Sequence, residues 1–135
     1  MSNKISFNYS PNFDSQKRKS KNIKFVIIHY TGMKNDKQAI QRLTDEKSSV
    51  SCHYFIDQNG KITLMVPDLY IAWHAGKSKW NKYRSLNKYS IGIELSNPGH
   101  DYNYKKFTQK QLKSIKKILK FLIKKYKINL KNILG

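Results

Sequence analysis

The sequence feature that most constrains the fold is an apolar, β-branched run that ends on a histidine, FVIIHYT at residues 25–31. Residues 23–28 are almost entirely apolar, which is typical of a strand covered on both faces and therefore interior to a sheet. Gly32 ends the run, so His29 lies at the carboxyl end of the predicted strand. Because ligand sites of α/β sheets open at strand ends, His29 is a candidate site residue. A core histidine bonded to a backbone carbonyl is the alternative.

A second apolar run, SIGIEL at residues 90–95, predicts another interior strand. Alternation places its branched apolar side chains on one face, and it places Glu94 with Ser90 and Gly92 on the other. An unpaired carboxylate inside an apolar strand is costly. Glu94 is therefore expected to be paired, protonated or functional.

The pattern around these strands predicts an α/β fold. Residues 36–46 have apolar side chains at helical spacing, and an Asn-Gly pair joins strands predicted at 50–56 and 61–66 as a hairpin. A long helix begins after Thr108, which can form a capping box with Gln111. Its apolar stripe comprises Leu112, Ile115, Ile118, Leu119, Leu122, Ile123 and Tyr126. We therefore expect a central mixed β-sheet flanked by helices, with a groove over the strand ends.

The length of 135 residues fits one domain with a substantial core. We expect residues 1–22 to form an extended N-terminal arm and residues 23–135 to form the domain. Residues 71–80, IAWHAGKSKW, show no clean period and are rich in aromatic and small side chains. Such a segment is predicted to be a loop that lines a groove. Residues 128–134 are predicted to be a short connecting segment.

The formal net charge of +19 indicates attraction to anions, but the kind of cation argues against specific nucleic-acid recognition. Among the 27 cationic residues, arginine occurs only as Arg18, Arg42 and Arg84. Arginine is the side chain that makes bidentate contacts with bases and phosphates. No helix-turn-helix, RNA-recognition or zinc-finger pattern is present. We therefore predict a solvated lysine surface and no specific nucleic-acid partner.

Apolar runs and cysteine content narrow the classes of protein to which this chain can belong. No run approaches the roughly 20 apolar residues that cross a bilayer, and the basic N-terminus lacks the apolar core of a secretory signal. We expect no membrane span, a cytoplasmic location and a monomer. The single cysteine, Cys52, excludes an internal disulfide and a cysteine-rich zinc cluster. A Cys52 nucleophile paired with His53 or His29 is the weaker alternative, and because neighbours on a strand point to opposite faces, Cys52 and His53 cannot form a dyad directly.

Three histidines, His29, His53 and His74, lie on segments near the two predicted strands, and one of those strands contains Glu94. This combination suits a zinc hydrolase, in which the metal lowers the pKa of water to about 7 and a carboxylate accepts the proton. Scattered histidines are also commonly structural. The residues alone leave both interpretations open.

Five motifs occur in the order FVIIHYTG, VSCHYFIDQNGKI, AWHAGKSKW, NKYSIGIELSNPGH and FTQKQL. In this order and spacing, over residues 10–135, they resemble the zinc-dependent N-acetylmuramoyl-L-alanine amidases of the AmpD and AmiD type. Those enzymes share their fold with phage lysozyme-type amidases and peptidoglycan recognition proteins. The resemblance implies hydrolysis of the amide bond between N-acetylmuramic acid and L-alanine in peptidoglycan or muropeptides. A non-catalytic peptidoglycan-binding module with an incomplete zinc site is the alternative.

The resemblance also implies roles for particular residues. His29 matches the first zinc ligand of the family, and Glu94 matches the glutamate that activates the zinc-bound water. The positions that match the substrate groove are Trp73, His74, Ala75 and Asn87. His53 matches a position that is not usually a ligand, and it is expected in the groove wall or in the core.

The zinc site implied by the resemblance is incomplete in this sequence. In the family, a histidine and then an aspartate or cysteine follow the residues that match 133–135, so the other ligands are expected beyond Gly135. The 135 residues are then either a fragment of an active amidase or a metal-poor relative of it. Substitution by His53, His74 or His100 is a further alternative.

Overall fold

A computed structural model of the chain describes residues 5–76, 79–80, 82–99 and 106–135. The helices are α1 (Asp36–Thr44) and α2 (Gln109–Tyr126). The strands are β1 (Ser6–Phe7), β2 (Phe13–Asp14), β3 (Phe25–Tyr30), β4 (Tyr54–Ile56), β5 (Ile62–Leu64), β6 (Ile71–Ala72), β7 (Lys79–Trp80), β8 (Tyr83–Arg84), β9 (Ser90–Leu95) and β10 (Ile133–Leu134).

The centre of the fold is a six-stranded mixed sheet with the strand order β1-β5-β4-β9-β3-β10. Strand β3 pairs in parallel with both β9 and β10, and β4 pairs in parallel with β9. The β4–β5 hairpin is antiparallel. The predicted mixed sheet is confirmed, and β3 and β9 are interior strands, as the two apolar runs indicated.

Helix α2 covers one face of this sheet with an apolar interface. The buried cluster there comprises Ile23, Val26, Tyr54, Ile56, Ile62, Ile91, Ile93, Leu95, Ile115, Ile118, Leu122 and Ile128. The predicted capping box is present, since Thr108 and Gln111 each accept from the other's backbone N–H at 3.0 Å. Leu112 departs from the predicted stripe and is 39% exposed. Gln111 takes the buried position instead, and its Nε2 donates to the Ser96 carbonyl oxygen at 2.8 Å.

Helix α1 covers part of the opposite face. The cluster beneath it comprises Ala39, Leu43, Cys52, Phe55 and Met65. Asn35 caps the helix, because its Oδ1 accepts from the Gln38 backbone N–H at 2.9 Å. The helix predicted over 36–46 ends at Thr44, where a short 3-10 turn follows.

Short segments account for the differences from the predicted elements. Residues 71–72, predicted as loop, form β6 and pair antiparallel with β2. Residues 133–134, predicted as part of a connecting segment, form β10 at the edge of the sheet. Strand β4 is shorter than predicted, because the Ser51 N–H donates to the Trp73 carbonyl oxygen outside the central sheet. Two-residue strands are too short to show a period in the sequence.

The described part of the predicted N-terminal arm packs along the domain. Strand β1 pairs with β5 and β2 pairs with β6, and Ser10, Asn12 and Arg18 are buried. The boundary at residue 22 stays a prediction. Within the described ranges, no helix has the length and hydropathy needed to cross a membrane.

Candidate active site

The two strand-end residues that the sequence singled out lie side by side. His29 and Glu94 are in register on the neighbouring parallel strands β3 and β9. Phe55 is in register with Glu94 on β4, and it belongs to the cluster beneath α1. Register partners of parallel strands project to the same face of a sheet. The sheet therefore places His29 and Glu94 together on the face that α1 partly covers.

A cavity of about 350 Å³ opens over this face. Of the predicted site residues, Trp73, His74 and Glu94 line it. The remaining lining residues are Thr31, Met33, Ala39, Arg42, Leu43, Val50 and Ser51. His29, Ala75 and Asn87 are not among the lining residues. The cavity thus lies between strand β9, helix α1 and the loops that follow β3 and β6, and Glu94 lines it.

Glu94 is placed to exchange a proton near neutral pH. Burial raises the pKa of its carboxyl to about 7 from the ordinary 4.5, and the Arg42 guanidinium opposes part of that rise. Its Oε2 atom is buried and has no hydrogen-bond partner among the described residues. A carboxyl with a pKa near the working pH and an unpartnered oxygen can act first as a general base and then as a general acid.

His29 is joined to the cavity through His74. The Nε2 atom of His29 lies 3.0 Å from Nδ1 of His74, and Nε2 of His74 lies 3.1 Å from Ser90 Oγ. Burial lowers the pKa of both imidazoles, and repulsion from His53 and His29 when they are protonated, and from Arg18, lowers the pKa of His74 further. Both histidines are therefore neutral near pH 7, which is the form of imidazole that binds metals.

Hydrogen bonds hold the loop that contains Trp73, His74 and Ala75. Asn87 Oδ1 accepts from the backbone N–H of His74 at 3.2 Å and from that of Ala75 at 2.8 Å. The Trp73 indole Nε1 donates to Asp14 Oδ1 at 2.8 Å. Asn87 thus positions the loop from outside the cavity. Substrate contacts of Ala75 and Asn87 stay a prediction.

His53 and Cys52 are core residues. The Nδ1 atom of His53 accepts from the Gly92 N–H at 3.0 Å, and its Nε2 lies 2.8 Å from the Tyr70 carbonyl oxygen. Burial and the Arg18 charge lower the pKa of His53 to about 3. Burial raises the pKa of the Cys52 thiol well above its ordinary value, so this thiol is not activated as a nucleophile. Of the two places expected for His53, the structure shows the core.

Comparison with known proteins decides the family. A sequence model for N-acetylmuramoyl-L-alanine amidase matches residues 19–135. The chain belongs to this family. It is 36% identical over 125 residues to the N-acetylmuramoyl-L-alanine amidase AmiD of Escherichia coli K12, across 84% of this chain and 44% of AmiD. It is 30% identical over 144 residues to the 1,6-anhydro-N-acetylmuramyl-L-alanine amidase AmpD of Haemophilus influenzae, across 93% of this chain and 76% of AmpD.

A solved amidase structure shares the fold described above. It is a complex of E. coli AmiD with the substrate anhydro-N-acetylmuramic acid-L-Ala-D-γ-Glu-L-Lys, and it matches with a TM-score of 0.74 and 32% identity. The match covers 89% of this chain and 49% of the AmiD chain, so this chain spans about half of that protein. The amidase-like fold expected from the sequence is confirmed.

Of the described residues, His29 is the one implied ligand whose chemistry suits zinc. Zinc takes neutral imidazole nitrogens, thiolates and carboxylates as ligands, and His29 is a neutral imidazole beside Glu94. Among the described residues, no group of three or more His, Cys, Asp and Glu side chains is placed to hold a metal ion. His53, considered above as a substitute ligand, has both ring nitrogens in contact with backbone groups. His100 lies outside the described residues.

Some contacts of the candidate site were not found from the sequence. Arg42 lines the cavity, but helical periodicity shows only that it is a polar residue of α1. Asp14 lies 59 residues before its partner Trp73, and no local pattern connects them. Ser90, which contacts His74, was placed by alternation on the face of Glu94. That alternation was the one available signal for a role at the site.

Proposed function

We propose that this chain is the catalytic part of an amidase that cleaves the bond between the lactyl group of N-acetylmuramic acid and L-alanine in muropeptides. The observation that supports this proposal is Glu94, whose carboxyl pKa is raised to about 7 by burial and whose Oε2 has no partner among the described residues. Binding of peptidoglycan alone does not require a carboxyl in this state. An enzyme that transfers a proton to a leaving amine does.

Glu94 transfers the proton in both halves of the proposed reaction. Its carboxylate accepts a proton from the attacking water as the oxygen bonds to the amide carbon. The same carboxyl then donates that proton to the L-alanine nitrogen as the C–N bond breaks, and the carboxylate is restored. Because the pKa is about 7, both protonation states are populated near neutral pH, which favours transfer in both directions.

His29 would hold the zinc ion that the family resemblance implies. When bound, zinc supplies a Lewis acid that polarises the amide carbonyl and promotes ionisation of water. His29 meets the usual requirement for such a ligand, because one ring nitrogen contacts another side chain at 3.0 Å and the imidazole is neutral. The described residues do not complete the ligand set.

Trp73 and Arg42 are proposed to bind the two ends of the muropeptide. The Trp73 ring is fixed by its bond to Asp14 and offers an apolar surface for a sugar or a peptide side chain. Arg42 is exposed and lines the same cavity, and its guanidinium suits a carboxylate of the stem peptide.

A cytoplasmic location and a monomeric state stay predictions, to be checked by fractionation and light scattering.

The test measures release of new L-alanine amino termini from a purified muropeptide by the protein at its natural length. Glu94→Gln keeps the size of the side chain and removes its proton transfer, so release should fall by about 100-fold or more. Glu46→Gln removes an exposed carboxylate and is the matched control.

Chelation should also stop release, and added zinc should restore it. Release that is unchanged in Glu94→Gln would contradict the proposed role of Glu94. Wild-type protein that binds the muropeptide with and without chelator, and releases no L-alanine amino termini, would support the binding-module alternative.

A further inference from the structure

A chain of hydrogen bonds lies behind His29. Ser90 Oγ donates to the Leu86 carbonyl oxygen at 2.7 Å, and it lies 3.1 Å from His74 Nε2. His74 Nδ1 in turn lies 3.0 Å from His29 Nε2. The chain therefore runs from a backbone carbonyl through two side chains to the proposed zinc ligand.

The direction of this chain follows from the chemistry of its members. A serine hydroxyl has one proton, and at Ser90 that proton points to the Leu86 carbonyl, which can only accept. Ser90 Oγ must then accept from His74, so His74 has its proton on Nε2. A neutral imidazole with a proton on Nε2 has an acceptor at Nδ1. The His29 atom that faces it is Nε2, which must be the donor.

The His74 ring has little freedom to leave this arrangement. It lies flat against the backbone of Gly92, where an added Cβ would come within 2.5 Å of His74 Cδ2. Asn87 also holds the His74 backbone N–H at 3.2 Å. Three contacts thus position the ring. Gly92 packs against its face, Asn87 bonds to the His74 backbone N–H, and Ser90 contacts Nε2.

We propose that Ser90 and His74 are positioning residues that hold His29 with its proton on Nε2 and its electron pair on Nδ1, ready to bind the metal. The inference rests on the proposed role of His29 as a zinc ligand. Metal-binding histidines typically donate their second ring N–H to a neighbouring acceptor, which fixes tautomer and orientation. Here that acceptor is a second histidine, whose own tautomer is set by a serine.

His53 provides an internal control. Its Nδ1 accepts from the Gly92 N–H, which requires the proton on Nε2, and Nε2 faces the Tyr70 carbonyl oxygen and lies 3.2 Å from Arg18 Nη2. Ser90 is not one of these partners, so the tautomer is fixed without it. A change at Ser90 should therefore alter His29 and His74 and leave His53 as it is.

The test begins with proton–nitrogen correlation NMR of the imidazoles in metal-free protein near neutral pH. Wild-type protein should show His29, His74 and His53 with the proton on Nε2. Ser90→Ala removes the acceptor for His74, so a form with the proton on Nδ1 should appear for His29 and His74 but not for His53. Ser90→Thr keeps the hydroxyl and should restore the wild-type spectrum. Alanine is smaller than serine, so the alanine variant fits the same space.

The second readout is zinc affinity, measured by competition with a chromophoric chelator on the protein at its natural length. Ser90→Ala should weaken zinc binding by about 10- to 100-fold, the usual effect of losing an outer partner of a ligand. The proposal is overturned if wild-type His29 has its proton on Nδ1, if Ser90→Ala leaves the His29 and His74 tautomers unchanged, or if wild-type protein binds no zinc. Failure of hydrolysis alone, with the tautomers and the zinc affinity as expected, would overturn the proposed function and leave this inference standing.

Discussion

The two faces of the central sheet put buried groups to different uses. On the face of α2, apolar side chains form one continuous cluster, and the helix begins with a complete capping box. On the face of α1, one buried oxygen of Glu94 has no hydrogen-bond partner among the described residues, and His29 contacts His74. On the first face, burial of apolar side chains stabilises the fold. On the second face, burial of polar groups costs free energy, because these groups lose the hydrogen bonds that water would make. Substitutions on the α2 face should therefore weaken the fold, and substitutions on the α1 face should change protonation and chemistry.

The largest effect is expected from Leu122→Ala on α2. Leu122 is fully buried in the α2 cluster, so truncation loses its contacts and leaves a cavity that costs about 4 kcal/mol of unfolding free energy. Leu112→Ala makes the same chemical change on the same helix, but Leu112 is 39% exposed and its loss should cost about 0.5 kcal/mol. Urea unfolding of both variants measures the difference. Equal losses would show that the α2 interface does not act as described.

Glu94→Gln should raise the free energy of unfolding, whereas Leu122→Ala lowers it, when the metal-free proteins are compared above neutral pH. The pKa of Glu94 is raised to about 7 from 4.5, so folding favours the protonated form. The stability associated with that form is complete below pH 4.5 and is lost as the pH rises through about 7. At a pH of about 8, glutamine should stabilise the folded protein by about 3 kcal/mol relative to wild type.

The measurement is urea unfolding of both proteins in the presence of chelator, from acid pH to about pH 8. The free energies should coincide at acid pH and separate as the pH rises. Curves that stay parallel would mean that Glu94 titrates at its ordinary pKa, and the proposed general base would lose its main support.

The same contrast explains what could be predicted from the sequence. Strands β3 and β9 were found because a strand buried on both faces needs a continuous apolar run. The capping box at Thr108 was found because its bonds join residues three apart. These predicted features depend on local periodicity. The pairing of β3 with β9, which puts His29 beside Glu94, was not predicted and is seen only in the structure.

The contacts that complete the site depend on distant residues. His29 and His74 are 45 residues apart, and they meet because the loop after β6 is tied to Asn87 and Ser51. No short-range pattern encodes such a meeting. The pairing of β10 with β3 was missed for the same reason, since a two-residue strand acquires its structure from its neighbour.

A smaller loss of unfolding free energy is expected when the N-cap of either helix is removed, and the two losses can be compared directly between the two faces. Thr108→Ala removes the bond from the Gln111 N–H and the bond from Thr108 Oγ1 to the Gln58 carbonyl oxygen, at a cost of about 1 kcal/mol. Asn35→Ala removes the bond from the Gln38 N–H to Asn35 Oδ1 at the start of α1 and should cost less. Unfolding midpoints measure both. Because Thr108 lies on α2 and away from the cavity, its loss should leave amide hydrolysis unchanged, and reduced hydrolysis in folded Thr108→Ala would contradict the separation of the two faces.

The smallest change in the pKa of Glu94 is expected from Arg42→Ala, and it is measured from the position of the pH profile, because the proposed contact of Arg42 with substrate would change the height of that profile instead. The Arg42 charge favours the ionised form of Glu94 and holds its pKa lower than burial alone would. Without that charge the pKa of Glu94 should rise, so the acid limb of the pH profile of kcat/KM should move to higher pH. Because Arg42 is exposed, added salt should reduce the difference between variant and wild type.

Lys37→Ala removes an exposed charge from the same helix, and Lys37 is not among the groups that shift the pKa of Glu94, so the pH profile of this control should match wild type. A limb that stays in place in Arg42→Ala, or that moves to lower pH, would show that Arg42 does not act on the carboxylate at the site.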